Sequence, residues 1–328
     1  MNDGSTRSTP AVLDRRLAVL GALLALLAAA PAQAADDDED EAEPDTRWSL
    51  SLATVVDQKS AREFDGSGGY ALTPDTSVQL GANLSDSTSN SSTGIGTSAV
   101  DVGLSHDFSR ISVDGRFRRW QATDILNALE LSGGAAWQAD AWSLGPRLEL
   151  RRSRFDPLNV TIAVPGVSQA PVNPTARCTL NNFGYGLSGA YQGEVWGARL
   201  EGSSYRYSSA SCDFDGVHAH VSRDLLSQLL GPSADLLARA AGRNVGSRDV
   251  PVDSRLGGGA SWQHEELRIA LDYSQSKDFL RGLRSRTLAA TATADLGGGS
   301  GVDVTLGATQ SASYGTLAFV GFAVRANF

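Results

Sequence analysis

The chain has 328 residues, a formal net charge of −9, 41% apolar residues and 35 glycines. This length suits one large all-β domain or two ordinary domains. Beyond Ala34 no stretch approaches the roughly 20 apolar residues that a spanning helix needs, so any membrane crossing must be made of strands. The sequence also lacks a phosphate-binding loop, a cysteine-rich cluster and a basic nucleic-acid motif, and we therefore expect no nucleic-acid partner.

Residues 1–34 have the pattern of a secretory signal peptide. Arg7, Arg15 and Arg16 precede an apolar run from Leu17 to Ala30, and small residues up to Ala34 provide a cleavage site. A twin-arginine interpretation fits less well, because the residues after Arg16 do not match that pattern. Export of an unfolded chain is the prediction.

Residues 35–46 form an acidic leader, with eight carboxylates in the ten positions from 36 to 45. Like charges at this density repel one another and stay solvated, which predicts a disordered periplasmic segment. Acidic runs also bind Ca²⁺ or basic partners, and this alternative remains open.

Residues 47–328 contain amphipathic runs of about ten residues that alternate with short and long breaks, a spacing typical of transmembrane barrel strands. We predict an antiparallel up-and-down β-barrel of about sixteen strands, with fourteen as the alternative count. The even number returns both chain ends to one side. The predicted strands are Trp48–Val56, Gly68–Thr73, Val78–Leu84, Val100–Leu104, Ile111–Phe117, Leu129–Trp137, Trp142–Leu150, Phe183–Tyr191, Trp196–Tyr207, Val217–Val221, Asp235–Val245, Leu256–Trp262, Leu267–Tyr273, Leu288–Leu296, Val302–Ala308 and Thr316–Phe328.

The weakest of these assignments is Asp235–Val245. The leucines between Leu225 and Leu237 also suit a helix interrupted at Gly231-Pro232, and the strand is assigned because sixteen crossings require it.

Two further patterns support the predicted register. Short breaks should be periplasmic turns and long breaks extracellular loops. Five of the six tryptophans lie beside the predicted short turns, where amphipathic rings favour the lipid interface: Trp48, Trp137, Trp142, Trp196 and Trp262. The longest break, 155–181, either folds into the pore or lies on the surface.

The two cysteines lie on neighbouring long loops of this arrangement. Cys178 closes the longest break, and Cys212 lies in the next break on the same side. In an oxidising compartment the prediction is one disulfide, whereas free thiols or a metal site lack supporting His or Cys spacing.

The C-terminal segment alternates strictly, with apolar Ala318, Val320, Phe322 and Val324 in one phase, and it stops on Phe328. An isolated edge strand would show the same period, but here it ends a long series of similar strands. A terminal amphipathic strand ending in Phe resembles the closing strand and assembly signal of Gram-negative outer-membrane β-barrels of the porin-like kind. The resemblance implies insertion by the barrel-assembly machinery into outer-membrane lipid. It identifies no specific family.

With the apolar phase facing lipid, the other phase lines the pore. The predicted pore-lining residues are Arg116, Arg118, Arg147, Glu149, Arg151, Arg199 and Glu201. Arginine forks bind carboxylates or anionic solutes, so the five arginines form a candidate basic arc that would favour anions. The alternative is that these charges pair with one another and with water.

Catalytic signals are weak, and we predict no enzyme, cofactor or metal. Ser105 and His106 could serve a lipid-modifying enzyme only at the outer bilayer edge, yet the register places His106 near a periplasmic turn. His218 and His220 share one strand face, but a metal would need at least one more ligand.

The predicted function is a passive outer-membrane channel for small hydrophilic solutes, with a preference for anions. One alternative is a structural or export barrel for a surface protein, in which the acidic leader binds a periplasmic partner. A lipid-modifying enzyme is the other. A homo-oligomer is compatible with all three.

Overall fold

The computed structural model describes residues 47–59, 61–87, 95–122, 125–159, 175–214, 216–230, 251–312 and 315–328. The signal peptide and the acidic leader lie outside these ranges and stay predictions. The described residues contain no helix long and apolar enough to span a membrane.

Antiparallel strands dominate the described residues, as the alternating sequence predicts. The sixteen strands are β1 (Trp48–Asp57), β2 (Arg62–Thr73), β3 (Thr76–Ser87), β4 (Ile95–Phe108), β5 (Ile111–Ala122), β6 (Leu126–Ala139), β7 (Trp142–Asn159), β8 (Thr175–Gln192), β9 (Trp196–Tyr207), β10 (Ala210–Phe214), β11 (Val217–Val221), β12 (Val252–His264), β13 (Leu267–Asp278), β14 (Arg284–Gly297), β15 (Ser300–Ser311) and β16 (Gly315–Asn327). The described helix is α1 (Arg223–Leu230).

Fourteen of these strands close into a barrel. Each of β1 to β8 pairs with the next strand of the barrel along the chain, as does each of β12 to β15, and β1 pairs with β16 at the seam. The ring closes because β9 pairs directly with β12, with Trp196 opposite Trp262. The predicted all-β antiparallel barrel is therefore confirmed, and fourteen, the alternative count, is the number of barrel strands.

The predicted strand Val217–Val221 exists as β11, but its assignment to the barrel wall is wrong. β10 continues along the edge of β8 beyond the end of β9, and β11 folds back on β10 as a hairpin. Fourteen barrel strands are already an even number, so no further membrane crossing is needed to bring both ends of the barrel chain to the same side. The predicted strand Asp235–Val245 lies outside the described residues.

Helix α1 forms in the leucine-rich stretch where the sequence also allowed a helix. Ser222 caps it, because its hydroxyl accepts a hydrogen bond from the backbone N–H of Leu225 at 3.3 Å. Asp224 stands in the first turn, where a negative charge is favourable. The break predicted at 155–181 is shorter than expected, because β7 extends to Asn159 and β8 begins at Thr175.

The two barrel ends differ in their connections, as predicted. One end carries tight turns, and three of them contain a non-glycine residue at positive φ, namely Ser109, Asp140 and Glu265. This end is called the turn end. It also holds the start of β1 and the end of β16, where Trp48 and Phe328 exchange two main-chain hydrogen bonds of 3.0 and 2.8 Å. By the short-turn rule it faces the periplasm, and the opposite end is called the outer end.

The outward face of the wall carries an apolar band. Exposed apolar side chains on this face include Leu80, Val102, Phe117, Leu131, Leu150, Phe183, Leu200, Leu271, Leu306 and Phe322. Trp48, Trp137, Trp142 and Trp196 stand exposed beside the turn end, and Trp262 is half-buried in the same region. A wide apolar band bordered by aromatic rings is the surface that a lipid bilayer requires of a barrel.

Candidate functional site: the barrel lumen

The inward phase of the strands is polar over most of its length. All seven residues predicted to line the pore lie in this phase, on β5, β7 and β9. On β7, for example, Glu149 and Arg151 are buried while the flanking Leu148, Leu150 and Arg152 are exposed on the outside. The pattern of alternate apolar residues therefore places these side chains in the lumen.

The lumen arginines of the candidate basic arc are matched by carboxylates. Arg116 Nε lies 2.9 Å from Asp101 Oδ2, and Arg199 Nη2 lies 2.7 Å from Asp272 Oδ1. Arg147 Nη2 is 3.9 Å from Asp114 Oδ2. Asp101 lies on the strand next to Arg116, whereas Asp114 and Asp272 each reach their arginine across one intervening strand, so the arc is a ladder of ion pairs along the wall.

The most buried part of this ladder is a group of three charged residues centred on Arg151. Its Nε donates to Glu130 Oε2 at 3.1 Å, and its Nη2 lies 3.5 Å from Glu149 Oε1. All three side chains are nearly inaccessible to solvent. An ion triad of this kind fixes each charge in place, because separating a buried pair leaves an uncompensated charge.

The remaining two predicted residues behave differently. Arg118 lies opposite Asp101 on β4 and Glu130 on β6, so both neighbouring strands present carboxylates to it. Glu201 is exposed to the lumen, and within the described residues it makes no hydrogen bond or ion pair. A lumen that holds such a carboxylate beside paired arginines carries less net positive charge than the basic arc alone suggests.

The turn end of the lumen holds a cavity of about 410 Å³. Its wall comes from β1 and β2 and from the strands β12 to β16. Polar side chains at its surface include Ser51, Gln263, Arg268, Thr293, Arg325 and Asn327. Arg325 Nη2 is held by Asp303 Oδ1 at 3.1 Å. This cavity gives a small polar solute room and hydrogen-bonding partners at the periplasmic mouth.

The outer end of the lumen is apolar and filled. Wall side chains Trp120, Phe155 and Leu180 form one cluster with Leu226 and Leu230 of α1. Other members are Ala99, Ala122, Leu126, Ala128, Cys178, Ala210, Cys212, Val221, Phe279 and Leu280. We call β10, β11 and α1 together the cap. Sequence reasoning missed this layer, although apolar residues in the inward phase of β5, β7 and β8 were a visible signal.

The cap is attached to the wall by a disulfide and by charges. Cys178 on β8 and Cys212 on β10 stand directly opposite each other and are bonded, which confirms the predicted disulfide. At the other side of the cap, Arg223 Nη1 lies 3.3 Å from Asp253 Oδ2 on β12, and its guanidinium stands over the Phe279 ring. Strand β10 and the first residue of α1 are therefore both attached to the barrel wall.

Two pairs of residues considered for chemistry from the sequence contain histidine. Ser105 faces the lumen and bonds Ser77, whereas His106 faces outward and bonds Thr76 at 2.8 Å near the turn end. His218 and His220 are exposed on β11. In the part of the chain that the structure describes, no group of three or more His, Cys, Asp or Glu side chains is arranged to hold a metal ion.

Known structures share this architecture. The CymD monoaromatic hydrocarbon channel aligns with 86% of this chain and 88% of its own at a TM-score of 0.52 and 8% sequence identity. The Pseudomonas putida toluene transporter TodX reaches a TM-score of 0.47 at 10% identity, over 86% of this chain and 89% of its own. The KdgM porin scores 0.40 at 9% identity, over 85% and 99%. No protein-family model and no curated protein matches the sequence.

At 8% identity the likeness to CymD establishes the fold alone. That fold, together with the apolar outer band and the polar lumen, defines a porin-like β-barrel of the Gram-negative outer membrane. No specific family is assigned.

Proposed function

We propose that the protein is an outer-membrane channel through which small solutes diffuse passively. The observation that carries the proposal is the lumen itself, in which fixed ion pairs line the wall and lead to a polar cavity at the turn end. The charged groups are held in place by their ion-pair partners. A hydrophilic solute can therefore move from one hydrogen-bonding group to the next without binding tightly to any of them. The channels and porins with the same architecture support this class of function.

The anion preference suggested by the arginines should be weak. Asp101, Asp114 and Asp272 each neutralise an arginine of the ladder. Glu201 adds a negative charge to the same wall. We therefore expect the preference for anions over cations to depend on the balance of positive and negative charge within the ion pairs more than on the number of arginines.

The apolar outer end favours a second class of solute. A solute that entered from outside would meet Trp120, Phe155 and Phe279 before it reached the ladder. Aromatic and aliphatic side chains favour apolar or aromatic solutes. CymD, the structure with the same fold, is described as a channel for monoaromatic hydrocarbons.

Conductance and uptake together test the proposal. The refolded protein in a planar bilayer should give discrete current steps, and a salt gradient should give a small reversal potential. Vesicles that contain the protein should swell in isosmotic sugars if hydrophilic solutes pass, or take up a monoaromatic compound faster than empty vesicles if apolar solutes pass. A correctly folded barrel that fails both assays would contradict a channel function.

The proposal also covers the segments outside the described residues. Residues 1–34 would direct export and be removed, residues 35–46 would form a solvated periplasmic leader, and residues 47–328 would form the barrel. Phe328 would be read by the barrel-assembly machinery. Deleting residues 36–45 should leave conductance unchanged if the protein is a channel, whereas an export barrel that needs a periplasmic partner would lose its function.

A further inference from the structure

The outward face of β5, β7 and β9 carries arginines directly above the apolar band at the outer end. Arg119, Arg152, Arg154 and Arg206 are exposed there, and we call these four residues the outward arginine patch. They occupy the phase opposite to the lumen, because their neighbours Arg118, Arg151 and Ser153 face inward. These arginines therefore cannot serve the pore.

The strand register shows how compact the patch is. Leu129 on β6 stands opposite Arg119 on one side and opposite Arg152 on the other. The two arginines are thus separated by two strand spacings, or about 10 Å. Arg154 follows Arg152 on the same face. Extended arginine side chains from these positions can reach a common ligand.

The outward residues on either side of the patch show where it lies relative to the apolar band. One row closer to the turn end, the outward residues are Phe117, Leu131, Leu150 and Phe183, and Arg206 stands opposite Phe183 at the edge of this row. Beyond the patch the outward residues turn polar, as with Gln121 and Asn127. Arg119, Arg152 and Arg154 therefore stand where the hydrocarbon region ends and lipid headgroups begin.

Arg119 stands between Val100 and Leu129 on the neighbouring strands, and Arg152 between Leu129 and Asn181, so neither has a carboxylate directly opposite. Among the described residues, Arg119 and Arg152 make no ion pair or hydrogen bond. Arg206 stacks over the Tyr185 ring, with its guanidinium carbon 5.8 Å from the ring centroid. Several guanidinium groups at one headgroup level suit phosphate, which they bind bidentately.

We infer that the outward arginine patch is a binding site for the phosphate groups of a phosphorylated glycolipid in the outer leaflet. The apolar band holds the acyl chains, and the arginines above it hold the headgroup phosphates. A site with both parts selects a lipid over a free anion, because basic residues at a headgroup level and an adjacent apolar surface act together.

The test measures binding of purified lipid A to the refolded full-length protein in detergent. The variant Arg119→Gln/Arg152→Gln should bind lipid A at least about tenfold more weakly than the native protein, since each lost charge near a headgroup weakens attraction several-fold. The matched control is Arg286→Gln, an exposed outward arginine on β14 that lies outside the patch. It should change binding less than twofold.

Two further measurements test whether the phosphate groups of a lipid, and not free phosphate, are what the patch binds. Lipid A that has lost one phosphate should bind more weakly than the bisphosphorylated form, and binding should fall as salt rises from low to high concentration. Inorganic phosphate at millimolar concentration should not displace the lipid. Equal effects of the double variant and the control, equal binding of both lipids, or displacement by inorganic phosphate would each overturn the inference. Heat-modifiable migration in a detergent gel verifies that each variant is folded.

Discussion

The two halves of the lumen are built on the same strands but use opposite chemistry. On β5 the inward residues change from Arg116 and Arg118 to Trp120 and Ala122 as the strand approaches the outer end. On β7 they change from Arg151 to Phe155. A lumen filled only with water would favour polar residues along its whole length. The switch shows that protein, not water, occupies the outer end.

The polar half and the apolar half have different consequences for transport. The ion-pair ladder forms within the wall, between strands that are adjacent or one apart, and the paired residues named above all lie outside the cap. The apolar cluster depends on the cap, because Leu226 and Leu230 supply its central contacts. Fully burying one leucine stabilises a structure by about 2–3 kcal/mol, so the cap is held by a limited number of apolar contacts. We therefore expect the cap to open independently of the barrel.

The largest expected effect comes from placing charge in the apolar half. Leu226→Asp/Leu230→Asp introduces two carboxylates at buried positions without partners, which costs several kilocalories per mole and should expel α1 from the outer end. Single-channel conductance should rise several-fold while the barrel remains folded. Leu225→Asp is the matched control, since Leu225 is exposed on the same helix. Unchanged conductance in the folded double variant would show that the cap does not close the pore.

The disulfide should have the next largest effect. Cys178 and Cys212 are separated by 34 positions in sequence, and a cross-link over such a length stabilises the closed segment by about 2–4 kcal/mol. Cys178→Ser/Cys212→Ser should increase the fraction of time in the high-conductance state. The same change should appear in the native protein after reduction. Faster hydrogen exchange confined to the cap would confirm local opening, whereas global loss of protection would contradict an independent cap.

The sequence predicted the wall far better than the cap, for a physical reason. Period-two alternation reports which face of a strand meets lipid, so it assigns Arg147, Arg151 and the other predicted pore-lining residues to the opposite phase. It carries no information about which strand pairs with which. Residues 217–221 alternate like a barrel strand whether they join the wall or fold back on β10, and this is why the sequence left both sixteen and fourteen barrel strands open.

The cap nevertheless left signals in the sequence. Trp120 is the only tryptophan away from the turn end, and it lies in the phase of Arg116 and Arg118. An apolar residue in a polar phase predicts a packing partner inside the lumen. The partner itself was not predictable, because alternation within a strand does not show which distant segment of the chain packs against Trp120 and Phe155.

Within the polar half, the ion pair between Arg116 and Asp101 should control selectivity in opposite directions. Asp101→Asn leaves the arginine without its 2.9 Å partner and should shift the reversal potential toward anions. Arg116→Gln leaves the carboxylate and should shift it toward cations. The expected permeability ratios change by a few-fold, because the lumen is hydrated and salt screens the charges. Shifts of the same sign in both variants would contradict a balanced ladder.

The smallest effect on transport is expected at Phe328, which lies at the turn end and outside both halves of the lumen. Its side chain is 62% exposed on the outward face, and its main chain closes the seam through two hydrogen bonds with Trp48. Deleting Phe328 removes these bonds, each of which contributes about 1 kcal/mol, without altering the ladder or the cap. The assembled variant should conduct as the native protein does, but the heat-modifiable form should accumulate more slowly in cells. Normal insertion would show that the assembly machinery does not read this residue, and altered conductance would mean that the seam, not only the lumen, governs the pore.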